Sequence, residues 1–158
     1  MTTNFGAKEM VDLVIRHTDC EVREDWDGCM ATMSAAPYYL HYPLGLRVNG
    51  RDAVLEQWKR MTAAAEFGDA AASWTVRHWV VDESVIVVFE WNVDDGDGQT
   101  RKKCSFAVFR FADGLIESET IFGDSDVDAL TRKAPIPHQH REPNQRRAMG
   151  RALTYLMR

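Results

Sequence analysis

Five side chains of this 158-residue chain have the type and position to act in acid–base chemistry: His17, His41, Tyr42, His78 and Asp124. An imidazole titrates near neutral pH, and a carboxyl group buried in an apolar cavity has a raised pKa. A histidine beside Asp124 could therefore supply a base and an acid without a metal ion. Each residue also has a structural interpretation, as a core histidine or, for Asp124, as the cap of a helix over DVDALTRK.

The segment YYLHYP, residues 38–43, predicts a short strand that places either an imidazole or a phenol inside the protein. Adjacent strand residues face opposite sides, so only one of His41 and Tyr42 can point inward. Tyr42 shares its side with Leu40, which slightly favours Tyr42 as the inward residue.

Apolar residues at helical spacing predict three helices, two before the YYLHYP strand and one after it. Asn49 is the expected cap of the third helix. The three stripes are Met10, Leu13, Val14, His17 and Cys20; Trp26, Cys29, Met30 and Met33; and Val54, Trp58, Met61 and Ala65.

Residues 73–81, 84–93, 100–111 and 115–122 predict a meander of strands, because they are rich in β-branched and aromatic residues and are separated by turn sequences. A two-residue turn at Asp82-Glu83 sets Val80 opposite Val85 and His78 opposite Val87. A turn at Asp113-Gly114 predicts the pairs Phe109 with Ser118, Ala107 with Thr120, and Ser105 with Phe122. Helices followed by a meander predict an α+β fold with helices on one face of an antiparallel sheet.

The charge is unevenly distributed. The chain has a net charge of -5, yet residues 131–158 hold seven Lys or Arg and only one acid. Met149, Ala152, Leu153 and Leu156 recur at helical spacing in this tail, which predicts an amphipathic C-terminal helix. We expect a domain over residues 1–130 and a basic extension over 131–158, and no nucleic-acid partner, because the acidic body would repel phosphates.

Several classes of protein are disfavoured by missing signals. No apolar run is long enough to span a bilayer, and the start has no secretory signal pattern, so we expect a soluble, cytoplasmic protein without a membrane partner. Cys20, Cys29 and Cys104 form no CxxC pair, and no metalloprotease, phosphate-loop or nucleophile-elbow motif is present. We therefore expect no metal and no cofactor.

Five segments in order give the chain a family resemblance. EDWDG (24–28), YPLGLRVNGRDAVLEQW (42–58), VFEWNV (88–93), FRFADGLI (109–116) and IFGDSDVDA (121–129) resemble the nuclear transport factor 2-like superfamily, in its ketosteroid isomerase-like and SnoaL-like cyclase branch. The resemblance implies a cone, in which a curved antiparallel sheet wraps around the N-terminal helices and a ligand pocket opens at one end.

The resemblance also assigns roles by position. In ketosteroid isomerase the site has an Asp base and an oxyanion hole of a Tyr and a protonated Asp. These positions fall here on Tyr42 or His41, on His17 and on Ala107, and Asp124 resembles an acid after the last strand in related cyclases. The implied pocket is lined by Trp26, Trp58, Phe89, Trp91, Ser105, Ala107, Ser118, Thr120 and Phe122.

These observations favour an enzyme that acts on a small, largely apolar molecule by cofactor-free general acid–base catalysis, as an isomerase, cyclase, dehydratase or epoxide hydrolase. Tyr42 and His17 would bind one polar atom of the ligand. The alternative is a non-catalytic binding or assembly module of the same fold, because all three family roles have different residue types here. Apolar residues on the outer sheet face predict a homodimer through Trp79, Val88, Phe106 and Val108.

Overall fold

The computed structural model of the protein describes residues 5–65, 75–94, 99–123 and 140–141. The helices follow the predicted order, with two before the first strand and a third before the meander. The strand over Leu46–Asn49 was not predicted, and Met33, which was predicted on the second helix, begins the first strand. The helices are α1 (Ala7–Val22), α2 (Trp26–Ala31) and α3 (Arg51–Ala65). The strands are β1 (Met33–Tyr42), β2 (Leu46–Asn49), β3 (Thr75–Val81), β4 (Ser84–Asp94), β5 (Thr100–Ala112), β6 (Leu115–Phe122) and β7 (His140–Arg141).

All seven strands belong to one curved, unclosed sheet in the order β3-β4-β5-β6-β1-β2-β7. The N-terminal helices pack against one face of this sheet, so the predicted α+β cone is confirmed. Among the described strands, β1 and β6 form a parallel pair and the other neighbours are antiparallel. This parallel pair joins the N-terminal part of the chain to the end of the meander.

The β3–β4 hairpin has the register that its two-residue turn predicts. Val80 lies opposite Val85 and His78 opposite Val87. Val85 and Val87 are buried against the helices, whereas β3, at the edge of the sheet, keeps much of its surface exposed. Turn chemistry was therefore sufficient to determine this register.

The β5–β6 hairpin begins as predicted and then shifts by one residue. Phe111 pairs with Ile116, as expected, but Arg110 pairs with Ser118, so Glu117 is an extra residue in β6. Beyond this bulge Phe109 lies opposite Glu119, and the predicted pair with Ser118 is wrong. The other predicted pairs are wrong for the same reason: Ala107 pairs with Ile121 rather than Thr120, and Phe106 rather than Ser105 pairs with Phe122.

The bulge reverses the side of the sheet on which the second half of β6 presents each residue. Glu119 and Ile121 share the inner face with Ala107 and Phe109, and all four are buried. Ser118, Thr120 and Phe122 take the opposite, outer face. They were predicted to line the pocket, and the shift in register places them outside it.

Strand β1 also presents its residues the other way round from the prediction. Tyr39 and His41 are buried on the inner face, at 1% and 2% exposure. Tyr42 lies on the outer face, where its ring stacks on Phe122 at 5.1 Å, and Phe122 stacks on Phe106 at 4.4 Å. The expectation that Tyr42 points into the cone is therefore wrong, because the pairing of β1 with β6 sets Tyr39, not Tyr42, among the inward residues.

Arg51, the first residue of α3, holds α2 and β1 together. Its guanidinium donates to the carbonyl oxygens of Met33 and Ser34 at 3.0 Å and of Met30 at 2.8 Å. A guanidinium presents several donors in one plane, so it can satisfy three carbonyl groups at a helix-to-strand junction at once. This contact fixes where β1 begins.

The predicted basic extension over residues 131–158 is described only at β7, which pairs with β2 at Leu46 and Arg47. The predicted helix over 149–156 lies outside the described residues. Within the described ranges, every helix lacks the length and apolar character needed to cross a bilayer.

Candidate functional site

Helix α1 carries His17 into the interior on the apolar stripe that the sequence shows. Met10, Leu13, Val14 and His17 are its buried residues, and His17 has no exposed surface. A buried imidazole is usually hydrogen-bonded through its ring nitrogens, and a buried imidazolium is paired with a negative charge. The residues around His17 therefore define the first part of the site.

The side chains of Thr32, Glu21, Tyr39 and Cys29 make polar contacts with His17. Nδ1 lies 2.6 Å from Oγ1 of Thr32, and Nε2 lies 2.8 Å from Oε1 of Glu21, one helical turn later in α1. Nε2 is also 3.2 Å from the hydroxyl oxygen of Tyr39. Trp58 of α3 donates its indole N–H to the same hydroxyl at 2.8 Å. His17 and Tyr39 thus form the centre of a buried polar cluster that α1, α3 and β1 share.

The carboxylate of Glu21 determines the charge of His17. Burial by itself would lower the pKa of His17, but the charge of Glu21 and the hydrogen bonds to Cys29 and Glu21 raise it well above its ordinary value of 6.5. At neutral pH His17 is therefore an imidazolium paired with Glu21.

Cys29 of α2 completes this side of the cluster. Its Sγ lies 3.6 Å from Nδ1 and 4.0 Å from Nε2 of His17, and 4.0 Å from Oε1 of Glu21. Burial raises the pKa of the Cys29 thiol, and the nearby imidazolium only partly opposes this effect. His17, Glu21 and Cys29 bring three potential metal ligands within 4.8 Å of one another.

Glu119 enters the cluster from β6. The parallel pairing of β1 and β6 sets Glu119 beside Tyr39, whose hydroxyl is hydrogen-bonded to the carboxyl group. Glu119 is 4% exposed, and its Oε2 has no hydrogen-bond partner among the described residues. Burial, together with the charge of Glu21, raises the pKa of Glu119 from 4.5 to about 8, against the opposing effects of His17 and Tyr39. Glu119 is therefore a protonated carboxylic acid at neutral pH.

His41 lies on the same face of the sheet, two residues after Tyr39 in β1. Tyr39 pairs with Glu119 and His41 with Ile121, which makes His41 and Glu119 diagonal neighbours. Neither ring nitrogen of His41 has a hydrogen-bond partner among the described residues. Burial lowers the pKa of His41 to about 4, so it is a neutral imidazole at neutral pH.

The five predicted acid–base residues are not brought together. His17 and His41 are inside, whereas Tyr42 is on the outer face, and Asp124 lies outside the described residues. His78 is exposed on the edge strand β3. It borders an open apolar groove against α1, with Val11, Val14, Ile15, Thr18, Val76, Val85 and Val87.

The predicted pocket residues divide between the two faces of the sheet. Trp58 contacts Tyr39, Ala107 is buried in the core, and Phe89, opposite Ser105, packs against the core. Trp26 is half-buried at the start of α2, and the side chain of Trp91 lies outside the described part of the chain. Ser118, Thr120 and Phe122 are on the outer face.

Glu119, Tyr39, Glu21 and Cys29 were not predicted as site residues. Cys29 and the apolar stripe of α1 were visible in the sequence, but no local pattern brings Cys29 next to His17. Glu119 lies between Ser118 and Thr120, so its inward position depends on the bulge at Glu117. Strand β6 also contains Glu117, Ser118 and Thr120, so no local signal singles out Glu119.

Comparison with known proteins identifies the family. Residues 14–119 match the SnoaL-like domain, and the chain belongs to this family. No curated protein matches the chain by sequence.

Solved structures support the same fold. A candidate polyketide cyclase from Xanthomonas campestris pv. campestris superposes with a TM-score of 0.57 at 19% identity, over 81% of this chain and 98% of that chain. A candidate ketosteroid isomerase from Kribbella flavida DSM 17836 gives 0.58 at 17% identity, over 90% and 87%. A nuclear transport factor 2-like protein from Burkholderia xenovorans LB400 gives 0.57 at 15% identity, over 84% and 100%. At these identities the likeness concerns the fold, which is that of the nuclear transport factor 2-like superfamily.

Proposed function

We propose that this chain is an enzyme that moves a proton on a small, largely apolar molecule carrying a carbonyl or hydroxyl group. Its general acid and base would be its own side chains, Glu119 and His41. Isomerisation, cyclisation, dehydration and epoxide opening all use such a proton transfer. The superfamily fold, shared with a candidate cyclase and a candidate isomerase, agrees with this class of chemistry.

One observation carries the proposal: two buried groups on the same face of the sheet have polar atoms without a partner among the described residues. They are both ring nitrogens of His41 and Oε2 of Glu119. A buried polar group without a hydrogen bond costs about 1–3 kcal/mol, and a ligand oxygen placed between the two groups would recover part of this cost. His41 pairs with the core residue Ile121 and Glu119 lies opposite the core residue Phe109, while the polar neighbours of Glu119 belong to the cluster around Tyr39.

The protonation states suit opposite roles. Between pH of about 4 and about 8, His41 is neutral and can accept a proton, and Glu119 is protonated and can donate one. For a ketone, His41 would remove a proton from the carbon next to the carbonyl, and Glu119 would protonate the carbonyl oxygen to give an enol. Returning the proton from His41 to another carbon, while Glu119 recovers its own, completes an isomerisation. Tyr39, whose pKa is raised well above 10 by burial, remains protonated and orients Glu119.

The experiment is deuterium exchange into a panel of cyclic ketones and enones in D2O, followed by NMR. We expect the protein to accelerate exchange next to the carbonyl, and Glu119→Gln and His41→Asn each to reduce this acceleration by about 100-fold or more. Matched controls are Glu117→Gln, the residue of the bulge, and His78→Asn, an exposed histidine. Exchange that is equally fast in the two site variants and the controls would contradict the assignment.

The second candidate is a non-catalytic module, and the packing of the interior favours it. Four large side chains in the interior have 2% exposure or less: Tyr39, Phe109, Met33 and Ile116. A cone filled by its own side chains has less room for a ligand. If no compound in the panel exchanges faster than in buffer, the module becomes the better interpretation.

We also propose that two copies associate through the outer sheet face. Trp79 and Phe106 are 48% and 40% exposed there, and Phe106 continues the ring stack of Phe122 and Tyr42. A second copy would cover this apolar surface, because the same patch on both subunits can be self-complementary in a two-fold dimer.

A further inference from the structure

A row of polar side chains joins the buried carboxyl group of Glu119 to the protein surface. The hydroxyl group of Tyr39 is hydrogen-bonded to that carboxyl group and lies 3.2 Å from Nε2 of His17. Nε2 in turn lies 2.8 Å from Oε1 of Glu21. Glu119, Tyr39 and His17 are 4%, 1% and 0% exposed, whereas the side chain of Glu21 is 12% exposed. Glu21 is therefore the point at which this row meets solvent.

The contacts of His17 determine which ring nitrogen belongs to the row. The Thr32 hydroxyl donates to the carbonyl oxygen of Cys29 at 2.5 Å, so its oxygen accepts the proton of Nδ1 at 2.6 Å. Nε2 is left to face both Glu21 and Tyr39. With its proton, Nε2 can donate to Tyr39, and without it the lone pair can accept a proton from Glu21. One atom can therefore receive a proton from one neighbour and release it to the other.

The hydroxyl group of Tyr39 also has partners on both sides. Its oxygen accepts from the indole N–H of Trp58 at 2.8 Å and faces Nε2 of His17, so its own proton is left for Glu119. Sδ of Met33, at 3.8 Å, is a weaker acceptor than a carboxyl oxygen. The hydrogen bond from Trp58 stabilises negative charge on the phenol oxygen while a proton moves through it.

Glu119 has a different environment at each of its two oxygens. Oε2 has no hydrogen-bond partner among the described residues, so the hydrogen bond from Tyr39 reaches Oε1. A proton can therefore arrive at Oε1 after another has left from Oε2. The last torsion of a glutamate side chain is two-fold, so a half-turn of the carboxyl group returns the new proton to the position without a partner.

We propose that Glu21, His17 and Tyr39 form a proton relay that carries protons between solvent and the buried carboxyl group of Glu119. Tyr39 transfers its proton to Oε1 of an ionised Glu119 as it receives the proton of Nε2 from His17. Nε2 then takes a proton from Glu21, which takes one from water. At the end Glu119 has gained one proton and every other group has the number with which it began. Tyr39 exchanges one proton for another in a single step, because burial disfavours a free tyrosinate.

The use of the relay rests on the proposed function, in which Glu119 donates the proton of Oε2 to the ligand. Where that proton leaves with the product, the carboxylate must be reprotonated before the next turnover. Its buried position prevents direct contact with water, and the relay supplies the route. The movement of protons to Glu119 can be measured without any substrate, so this inference and the proposed function can fail separately.

The test is infrared spectroscopy of the full chain at pH 5 after rapid mixing with D2O. The carbonyl stretch of the protonated Glu119 side chain, identified by its absence in Glu119→Gln, shifts when the carboxyl proton is replaced by deuterium. We expect Tyr39→Phe and Glu21→Gln each to slow this shift at least about tenfold, because exchange then requires local opening of the fold. Tyr39→Phe keeps the band, since the hydrogen bond that it removes lowers the pKa of Glu119.

Two matched controls should exchange at the rate of the wild type. Tyr38→Phe removes the hydroxyl group of the neighbouring tyrosine in β1, whose ring lies under the guanidinium of Arg47. Asp19→Asn neutralises an exposed carboxylate of the same helix as Glu21, which is paired with Arg23. Neither residue belongs to the relay.

A second pair of variants separates proton transfer from a structural role of Glu21 and covers the case in which Tyr39→Phe does not fold. Glu21→Ala leaves space for a small carboxylic acid, whereas the amide of Glu21→Gln fills the same space and cannot transfer the proton. We expect added formate to restore rapid exchange in Glu21→Ala and to have no effect on Glu21→Gln.

Three results would overturn the proposal: the absence of a Glu119 carboxyl band at pH 5, exchange that is equally fast in the wild type, Tyr39→Phe and Glu21→Gln, or a Glu21→Ala variant that formate does not rescue. A panel of ketones that shows no deuterium exchange would count against the proposed function and would leave the infrared result unchanged.

Discussion

Glu119 is the buried residue whose ionisation should couple most directly to stability. Its ordinary pKa of 4.5 applies in the unfolded chain and its pKa of about 8 in the folded protein, so between these values only the unfolded state loses the proton. Ionisation therefore favours unfolding, and the contribution of Glu119 to stability is complete below pH 4.5 and is lost as pH rises towards 8. Glu21, His17, Tyr39 and Cys29 are the titratable groups around it.

We expect Glu119→Gln to become more stable relative to the wild type as pH increases, by up to about 1.4 kcal/mol per pH unit within this window. The measurement is urea denaturation of both proteins at several values between pH 5 and pH 8. Glu117→Gln is the control, since it changes a carboxylate of the same strand at the bulge. A constant difference between wild type and Glu119→Gln over this range would show that Glu119 is ionised in the folded protein.

The two interior histidines should differ in charge at the same pH. Burial lowers the pKa of His41 to about 4, whereas Glu21 and Cys29 raise the pKa of His17 well above 6.5. At pH 6, ring-nitrogen NMR shifts should therefore show His17 protonated on both nitrogens and His41 on only one. Glu21→Gln should lower the pKa of His17 and leave that of His41 unchanged. Two histidines that titrate together near pH 6.5 would contradict the described burial.

At the scale of single elements, the bulge at Glu117 gives β6 one more residue than β5 has opposite it. Deleting Glu117 would remove the extra residue and leave Ser118 opposite Arg110 and Glu119 opposite Phe109, so Glu119 and Ile121 would still face inward. We expect the deletion to cost less than about 2 kcal/mol in urea denaturation, because the strand keeps its buried face. Glu117→Ala keeps the bulge and should cost less than about 1 kcal/mol. A loss of more than about 3 kcal/mol on deletion would show that the bulge itself, and not only the register beyond it, stabilises the fold.

Arg51 decides how α2, β1 and α3 meet. Arg51→Met keeps a long apolar stem but leaves the carbonyl groups of Met30, Met33 and Ser34 without their donor. We expect a loss of about 2–3 kcal/mol in thermal or urea unfolding, since hydrogen bonds from a charged group contribute about 1.5–3 kcal/mol. Lys59→Met, an exposed position on the same helix, should change stability by less than about 0.5 kcal/mol. A result for Arg51→Met as small as that of the control would count against this anchoring role.

The whole molecule exposes apolar residues on the outer face of its sheet, and a homodimer remains the prediction for it. Light scattering at micromolar concentration should give the mass of two chains, and Phe106→Glu should give the mass of one, because a buried charge at the centre of the patch would be uncompensated. Ile15→Glu on α1 is the matched control, since Ile15 is 51% exposed and lies away from that face. A monomeric wild type would contradict the prediction.

The sequence determined by itself the features that depend on local chemistry. Helical spacing predicted that α1 buries His17, and the two-residue turn at Asp82-Glu83 predicted the β3–β4 register. Family motifs from residue 24 onward predicted the α+β cone. Each of these signals lies within a short segment, where the period of a helix or the length of a turn limits the possible structures.

Only the tertiary structure decided which residues meet inside the cone. Strand residues alternate with a period of two, so the single extra residue at Glu117 exchanged Ser118 for Glu119 on the inner face. The sequence could not decide between His41 and Tyr42, because β1 has bulky residues on both sides and the β6 residues that pair with it are 80 positions or more away in the chain. Cys29 reaches His17 only through the packing of α2 against α1. Contacts between distant segments depend on register and packing, and neither is encoded in local spacing.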